Sequence, residues 1–219
     1  MKQKIKSLVK GNKLLYKMAF SGLNMYKKAK WITNRPRLPQ VEGKYIHLGC
    51  GSINHPKMIN VDLRPDGHIH YLSNVEKLPM FPDNYADLIY VSHCLEHISY
   101  QILDNVLKEW HRVLKPKGIL RVSVPNFDTM IEMYNDNYQD ITQILPPLLG
   151  GQDYKYNFHY AAFNEKYLKH LFAKNGFNEV KLWDYNEDEF CKFDDWANRN
   201  ISLNNIDYKI SLNIQGSKI

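Results

Sequence analysis

Short apolar runs separated by helix-period segments recur along most of this chain, and that alternation limits its possible folds more than any other feature. Residues 45–48, 58–63, 68–72, 86–91, 119–124, 180–185 and 208–214 read as seven strands. Between the fourth and fifth, Ile102, Val106, Leu107, Trp110, Val113 and Leu114 recur at helical spacing and stop at Lys115-Pro116-Lys117-Gly118. Residues 164–175 form a second such helix, with Tyr167, Leu168, Leu171 and Phe172 inward and Gly176 suited to its C-terminal cap. Strands that are mostly apolar along their length belong in an α/β sheet covered on both faces.

Charge divides the chain of 219 residues in two. Residues 1–40 hold nine Lys, two Arg and no acid, whereas the remainder carries 18 basic and 23 acidic residues. The basic pI therefore belongs to the N-terminal arm, and a uniformly basic nucleic-acid face is not expected. Within the arm, Ile5, Leu8, Val9, Leu15, Met18, Ala19, Leu23 and Tyr26 recur at about helical spacing among lysines. Such a helix suits either an anionic membrane surface or packing on its own domain. Residues 33–39 read as a linker because Pro36 and Pro39 interrupt helix, so a basic arm (1–40) and a single domain (41–219) are expected. Cys50, Cys94 and Cys191 are too few for a disulfide framework, and a reducing compartment follows. No apolar run approaches a membrane span, and the N-terminus lacks the continuous apolar stretch of a signal peptide. The expected location is cytoplasmic, with the arm as a candidate contact to the inner membrane surface.

In open α/β sheets ligands sit beyond the carboxyl ends of the strands. Gly49-Cys50-Gly51 follows the first strand and lets the backbone turn sharply. Asp62, ending the second strand, offers a carboxylate to a pair of ribose hydroxyls. Asn74 and Val75 follow the third strand, where a side-chain carbonyl and a backbone N–H can read an adenine edge. A G-x-G alone is a common turn; the three features in this order point to a nucleoside. A nicotinamide fingerprint requires a third glycine, and Asn54 stands there.

The segments His47-Leu48-Gly49-Cys50-Gly51-Ser52 and Asn60-Val61-Asp62-Leu63 resemble the first two motifs of class I S-adenosylmethionine-dependent methyltransferases. Residues 74–83 (NVEKLPMFPD) look like that family's D-x-x-x-L-P-F signature, residues 87–97 (DLIYVSHCLEH) its fourth-strand motif, and residues 112–120 (RVLKPKGIL) its turn into the fifth strand. The nearest subfamily is methyltransferase type 11, and small members with a compact first turn accompany surface-polysaccharide synthesis genes. The resemblance covers about residues 44–185. It implies a three-layer Rossmann-like sandwich, with a seven-stranded mostly parallel sheet, an antiparallel last strand, a shortened first crossover and an N-terminal basic helix. It implies S-adenosyl-L-methionine as cofactor, held by His47, Gly49, Cys50, Gly51, Asp62, Leu63, Asn74, Val75, Ser92 and His93. Asn74 departs from the usual Asp but keeps a carbonyl acceptor. Only eight residues, 50–57, separate the first two strands, so the first helix is one turn or absent.

Methyl transfer needs a nucleophile in line with the S–CH₃ bond at roughly 3 Å, and a base when that nucleophile is a hydroxyl. Candidates for the base are His93, His97, Asp128, His159 and Tyr160, with His159, His93 and Tyr160 favoured. The aromatic-rich segment 154–163 is the expected acceptor wall, suited to a saccharide or lipid-linked glycan. Against this, His159 reads equally well as a cap of the next helix, and Asp128 as a cap of the helix after Pro125. His47 reads as a hydrogen-bonded core residue, and His68 and His70 as one face of a strand. His93-Cys94-Leu95-Glu96-His97 also fits the pattern of inverted zinc peptidases. It follows a strand end with no evident downstream acidic ligand, so no metal is expected, and Glu96 and His97 read first as structural. Trp183, Tyr185, Phe190, Phe193 and Trp196, set among acids, suggest a lid or dimer contact. The competing reading is a non-catalytic methyltransferase-like scaffold in a glycan assembly complex.

Overall fold

The computed structural model describes the backbone of residues 13–186 and 194–219, and side chains from residue 21 onward within those segments. Phe190, Cys191, Phe193 and the first twelve residues lie outside the described residues. Helix α1 (Lys13–Thr33) precedes β1 (Tyr45–Leu48), β2 (Ile59–Asp62), β3 (Tyr71–Leu72), β4 (Ala86–Ser92), α2 (Leu103–Val113), β5 (Leu114–Pro125), α3 (Phe127–Asp136), α4 (Leu145–Leu149), α5 (Glu165–Lys174), β6 (Phe177–Leu182), β7 (Asn200–Leu203), β8 (Ile206–Lys209) and β9 (Ser211–Lys218). Seven strands form one sheet in the order β3-β2-β1-β4-β5-β9-β6, and β9 runs antiparallel to both neighbours. This is the expected α/β Rossmann-like sheet. A separate hairpin pairs β7 with β8.

Alternation along the strands decides what each face buries. Ile46, Leu48, Ile59, Val61, Ile89, Val91, Leu120 and Val122 project to one side. They meet Leu103, Val106, Leu107, Trp110 and Val113 of α2, together with Leu168, Leu171 and Phe172 of α5. These helix positions follow the i, i+3, i+4 spacing of an amphipathic stripe. The other side carries Leu88 and Tyr90, covered by Trp183 and Ala197, while Tyr90 Oη donates to Asp195 at 2.6 Å. The acidic aromatic segment, as far as it is described, thus packs on the sheet.

The residues between β1 and β2, 49–58, form only turns, as the short spacing dictates. The seventh sheet strand begins at Ser211 rather than 208: Tyr208 belongs to the β7–β8 hairpin, where its hydroxyl reaches Asp136, and the chain changes sheet at Ile210. Asn126, not Asp128, caps α3. Its backbone is extended and its side chain accepts the Asp128 N–H. Asn164 caps α5, so His159 has no capping role there. The third strand shortens to two residues. His68 precedes it beside the Gly51 carbonyl, and His70 accepts the Asn60 N–H through Nδ1. The end of α1 rests on this region: Trp31 Nε1 donates to the Ile69 carbonyl, and Arg35 lies over the rings of Trp31 and Tyr71. No helix among the described residues is long and apolar enough to cross a membrane.

Candidate functional site

The bend after β1 is built by two left-handed glycines, Gly49 at φ +64° and Gly51 at φ +59°. A Cβ on Gly49 would lie 2.4 Å from Cys94 Sγ, so the close approach of the β1 and β4 ends requires glycine there. Gly49 N–H bonds the Val61 carbonyl, and Gly51 N–H donates to Asp62 Oδ2 at 2.8 Å. The carboxylate at the end of β2 is therefore turned toward the bend. Its other oxygen accepts from the Arg64 backbone at 2.7 Å and from Arg64 Nε at 3.3 Å. Oδ2 accepts only one of these bonds, so its second lone pair leaves acceptor capacity for a ligand.

Beyond the strand ends lies a cavity of about 360 Å³, within the range of small-molecule sites. Of the ten residues expected to hold a cofactor, Gly49, Asp62, Leu63, Asn74, Val75 and His93 line it. Gly51 stands at its rim through Asp62. Cys50, in the turn, and His47, in β1, are buried and do not line the cavity. His47 packs edge-on against Tyr90, and burial lowers its imidazole pKa to about 3. Ser92 is half-buried and does not line the cavity. Asn74 Oδ1 accepts the Glu76 N–H, which fixes the amide beside Val75. The thiols of Cys50 and Cys94 are pushed up by burial, so neither is a ready nucleophile.

Sequence reasoning missed Arg64 and Cys94 as lining residues, and it placed Tyr154 only within the acceptor wall, whereas Tyr154 borders both cavities. Arg64 Nη1 donates to Tyr154 Oη at 3.2 Å, and Nη2 approaches the space above Gly51. Burial opposes the guanidinium charge, but Asp62 and Tyr154 outweigh it and hold its pKa above the ordinary value. A charged residue two positions after the strand-end acid was the only signal for it.

A second cavity of about 450 Å³ adjoins the first and shares His93, His97 and Tyr154 with it. The segment 158–161 reaches it because Tyr160 and Ala161 N–H groups both bond the Glu96 carbonyl. This brings His159 beside Glu96 and His97, whose ring centroid lies 4.7 Å from that of His159. Tyr160 lines the first cavity and is 56% exposed. His93 holds a left-handed φ of +47°, a strained conformation for a side-chain-bearing residue. Burial lowers the His159 pKa, against the opposing influence of Glu96. Asp128 lines neither cavity. A larger cavity of about 510 Å³, against Trp183 and Arg199, shares no lining residue with these two.

Comparison with known proteins agrees with this geometry. Residues 47–122 match the family model described as "Methyltransferase domain". The ubiquinone/menaquinone biosynthesis C-methyltransferase UbiE of Vibrio vulnificus is 36% identical over 109 residues, covering 45% of this chain and 40% of that protein. This chain therefore matches less than half the length of that curated relative. A SAM-dependent methyltransferase structure from Archaeoglobus fulgidus superposes with TM-score 0.51 at 18% identity, covering 94% of this chain and all of that one. One from Methanosarcina mazei gives TM-score 0.51 at 16% identity, covering 86% and 96%. Residues 47–122 thus resemble a methyltransferase domain, and the chain has the α/β fold seen in those SAM-dependent methyltransferase structures.

Proposed function

We propose that this protein is an S-adenosylmethionine-dependent methyltransferase that binds its cofactor along the 360 Å³ cavity. The observation that carries the reading is the Asp62 carboxylate, locked onto the Gly51 N–H at the cavity rim, with Asn74 and Val75 farther along the same wall. The residues fit such a group: Gly49 leaves a floor without a side chain, Asp62 Oδ2 offers an acceptor to a diol, and Asn74 offers an amide to a purine edge. When bound, the cofactor supplies a sulfonium methyl, an electrophile that needs no further activation.

The compact turn between β1 and β2 removes the helix whose N-terminus would favour a ligand carboxylate. Arg64 fills that electrostatic role, since its guanidinium reaches the space above Gly51 and is anchored by Asp62 and Tyr154. The acceptor enters the adjoining cavity, where His93 and His97 border both spaces. Tyr154 and Trp196 offer ring faces to a saccharide or lipid-linked glycan, and Asn157 offers polar contacts for its hydroxyls. The relative's printed name favours a second acceptor class, a quinone-type ring carbon. The exposed Leu23, Met25 and Tyr26 beside Lys27 and Lys28 support contact of α1 with an anionic membrane surface.

Calorimetry with S-adenosylmethionine and S-adenosylhomocysteine tests the cofactor. No heat at millimolar ligand with folded protein removes the proposal. Radiolabelled methyl transfer to a panel of glycans, lipid-linked sugars and quinone precursors tests the acceptor. Cofactor binding without transfer to any of them supports the scaffold reading.

A further inference from the structure

The second cavity carries a cluster centred on Glu96 and His159, which do not line the cofactor cavity. Glu96 is 1% exposed, and among the described residues its carboxylate faces no hydrogen-bond donor other than the surrounding imidazoles. Three imidazoles face it. His97 Nε2 and His159 Nε2 each stand 4.0 Å from Glu96 Oε1, and His93 Nδ1 stands 3.4 Å from it. The opposite nitrogens determine the tautomers. His97 Nδ1 lies 3.0 Å from the Phe158 carbonyl and His159 Nδ1 lies 3.0 Å from the Pro147 carbonyl. A carbonyl only accepts, so in the neutral rings both Nδ1 atoms carry the proton and both Nε2 atoms present lone pairs. His93 Nε2 lies 2.7 Å from Ser211 Oγ, whose own hydrogen goes to the Trp196 carbonyl. A neutral His93 therefore donates through Nε2 and turns its Nδ1 lone pair to the carboxylate, whereas a protonated His93 donates Nδ1–H to Glu96. A buried carboxylate and three nitrogen lone pairs converge, an arrangement that is costly unless a cation is shared among them.

We propose that Glu96, His97 and His159 bind a divalent transition-metal ion, with His93 as the nearest further donor. One ligand atom from each of the three lies within 4.8 Å of the other two. A tetrahedral site with metal–ligand bonds of about 2.1 Å sets its ligand atoms about 3.4 Å apart. Closure therefore asks only a small rotation of two imidazoles toward Glu96. Both rings donate their far nitrogen to a backbone carbonyl, the outer support that orients metal-bound histidines. Two imidazoles and one carboxylate suit zinc or iron better than magnesium or calcium. The arrangement differs from the zinc-peptidase pattern: His159 comes from a distant segment, and Glu96 is a ligand rather than a base.

The ligands line the second cavity, so a remaining coordination position opens toward the acceptor. A hydroxyl bound there loses its proton to solvent more readily. Its oxygen forms the new O–CH₃ bond as the S–CH₃ bond breaks and that electron pair returns to sulfur. This role rests on the methyltransferase reading; the metal site does not.

The test uses the full chain, stripped with a chelator and titrated with Co²⁺ and then Zn²⁺. The expected result is one ion per chain, with Co²⁺ visible bands displaced by Zn²⁺. His159→Ala and Glu96→Gln are expected to weaken binding by about 100-fold or more. His170→Ala, on the exposed face of α5, leaves it unchanged. Absence of uptake at slight molar excess, or equal uptake by His159→Ala, overturns the site and assigns the shared cation to protons. Should Glu96→Gln not fold, His159→Ala alone decides. Calorimetry with S-adenosylhomocysteine on metal-free protein separates the two readings. Binding of nucleoside without metal uptake removes only the site, and metal uptake without nucleoside binding removes only its proposed role.

Discussion

Gly49→Ala is the sharpest single perturbation of the cofactor floor, and its cost follows from two separable terms. The residue holds φ +64°, a conformation that costs an alanine about 1–2 kcal/mol. The new methyl would also lie 2.4 Å from Cys94 Sγ and 2.8 Å from its Cβ, well inside contact distance. Overpacking of that kind adds about 1–3 kcal/mol. The expected total is about 2–5 kcal/mol, read as a lower urea midpoint at unchanged slope. Part of the steric cost is recoverable. Cys94→Ala deletes the nearest atom, so the double variant should regain about 1 kcal/mol relative to the sum of the single changes. Calorimetry with S-adenosylhomocysteine should show weaker binding in Gly49→Ala and partial recovery in the double variant. A Gly49→Ala protein as stable as the parent, or strictly additive changes in the cycle, would refute the close approach of the bend to Cys94.

Four further outcomes are expected. Asp62→Ala removes a charged acceptor and should weaken S-adenosylhomocysteine binding by about 1.5–3 kcal/mol, or roughly 10- to 150-fold, by calorimetry. Arg64→Gln should weaken S-adenosylhomocysteine more than adenosine, because only the former carries the carboxylate; an equal loss for both would remove the assigned role. His47 is held neutral by burial, its pKa lowered from 6.5 to about 3. Its stabilising contribution is complete above pH 6.5 and is lost as pH falls toward 3, since only the unfolded chain takes up the proton. Between pH 7 and 4.5 this amounts to about 3 kcal/mol, so the acid limb of His47→Asn, followed by urea unfolding, should be shallower. Arg112 bonds the carbonyls of Leu78 and Phe81 and the carboxylates of Asp83 and Glu109. Arg112→Ala should therefore cost about 1–3 kcal/mol and increase hydrogen exchange in residues 76–83.

Much of the sheet was legible because its determinants are local. Ile46, Leu48, Ile89 and Val91 declare buried strands by composition, and the stripe from Val106 to Val113 declares α2 by period. The short stretch between the first two strands leaves room for one helical turn at most, and that follows from chain length alone. The end of the sheet was less legible. Tyr208 and Leu212 are both apolar and close in sequence, but one belongs to a hairpin and the other to β9; the choice lies in what each packs against.

The same division runs through the site. Gly49, Asp62, Asn74 and Val75 could be placed from sequence because each follows a strand end, and parallel topology sends all those ends to one rim. Their order along the chain sufficed to suggest a nucleoside. The meeting of Glu96 with His159 lay beyond that reasoning. Sixty-two residues lie between them, and two backbone hydrogen bonds to the Glu96 carbonyl bring the later segment into register. Which nitrogen of each imidazole faces the carboxylate depends on the carbonyls of Pro147 and Phe158 and on the Ser211 hydroxyl. Those partners become neighbours only after the sheet has formed, so spacing along the chain fixes the nucleoside rim, and tertiary packing alone assembles the charges of the adjoining cavity.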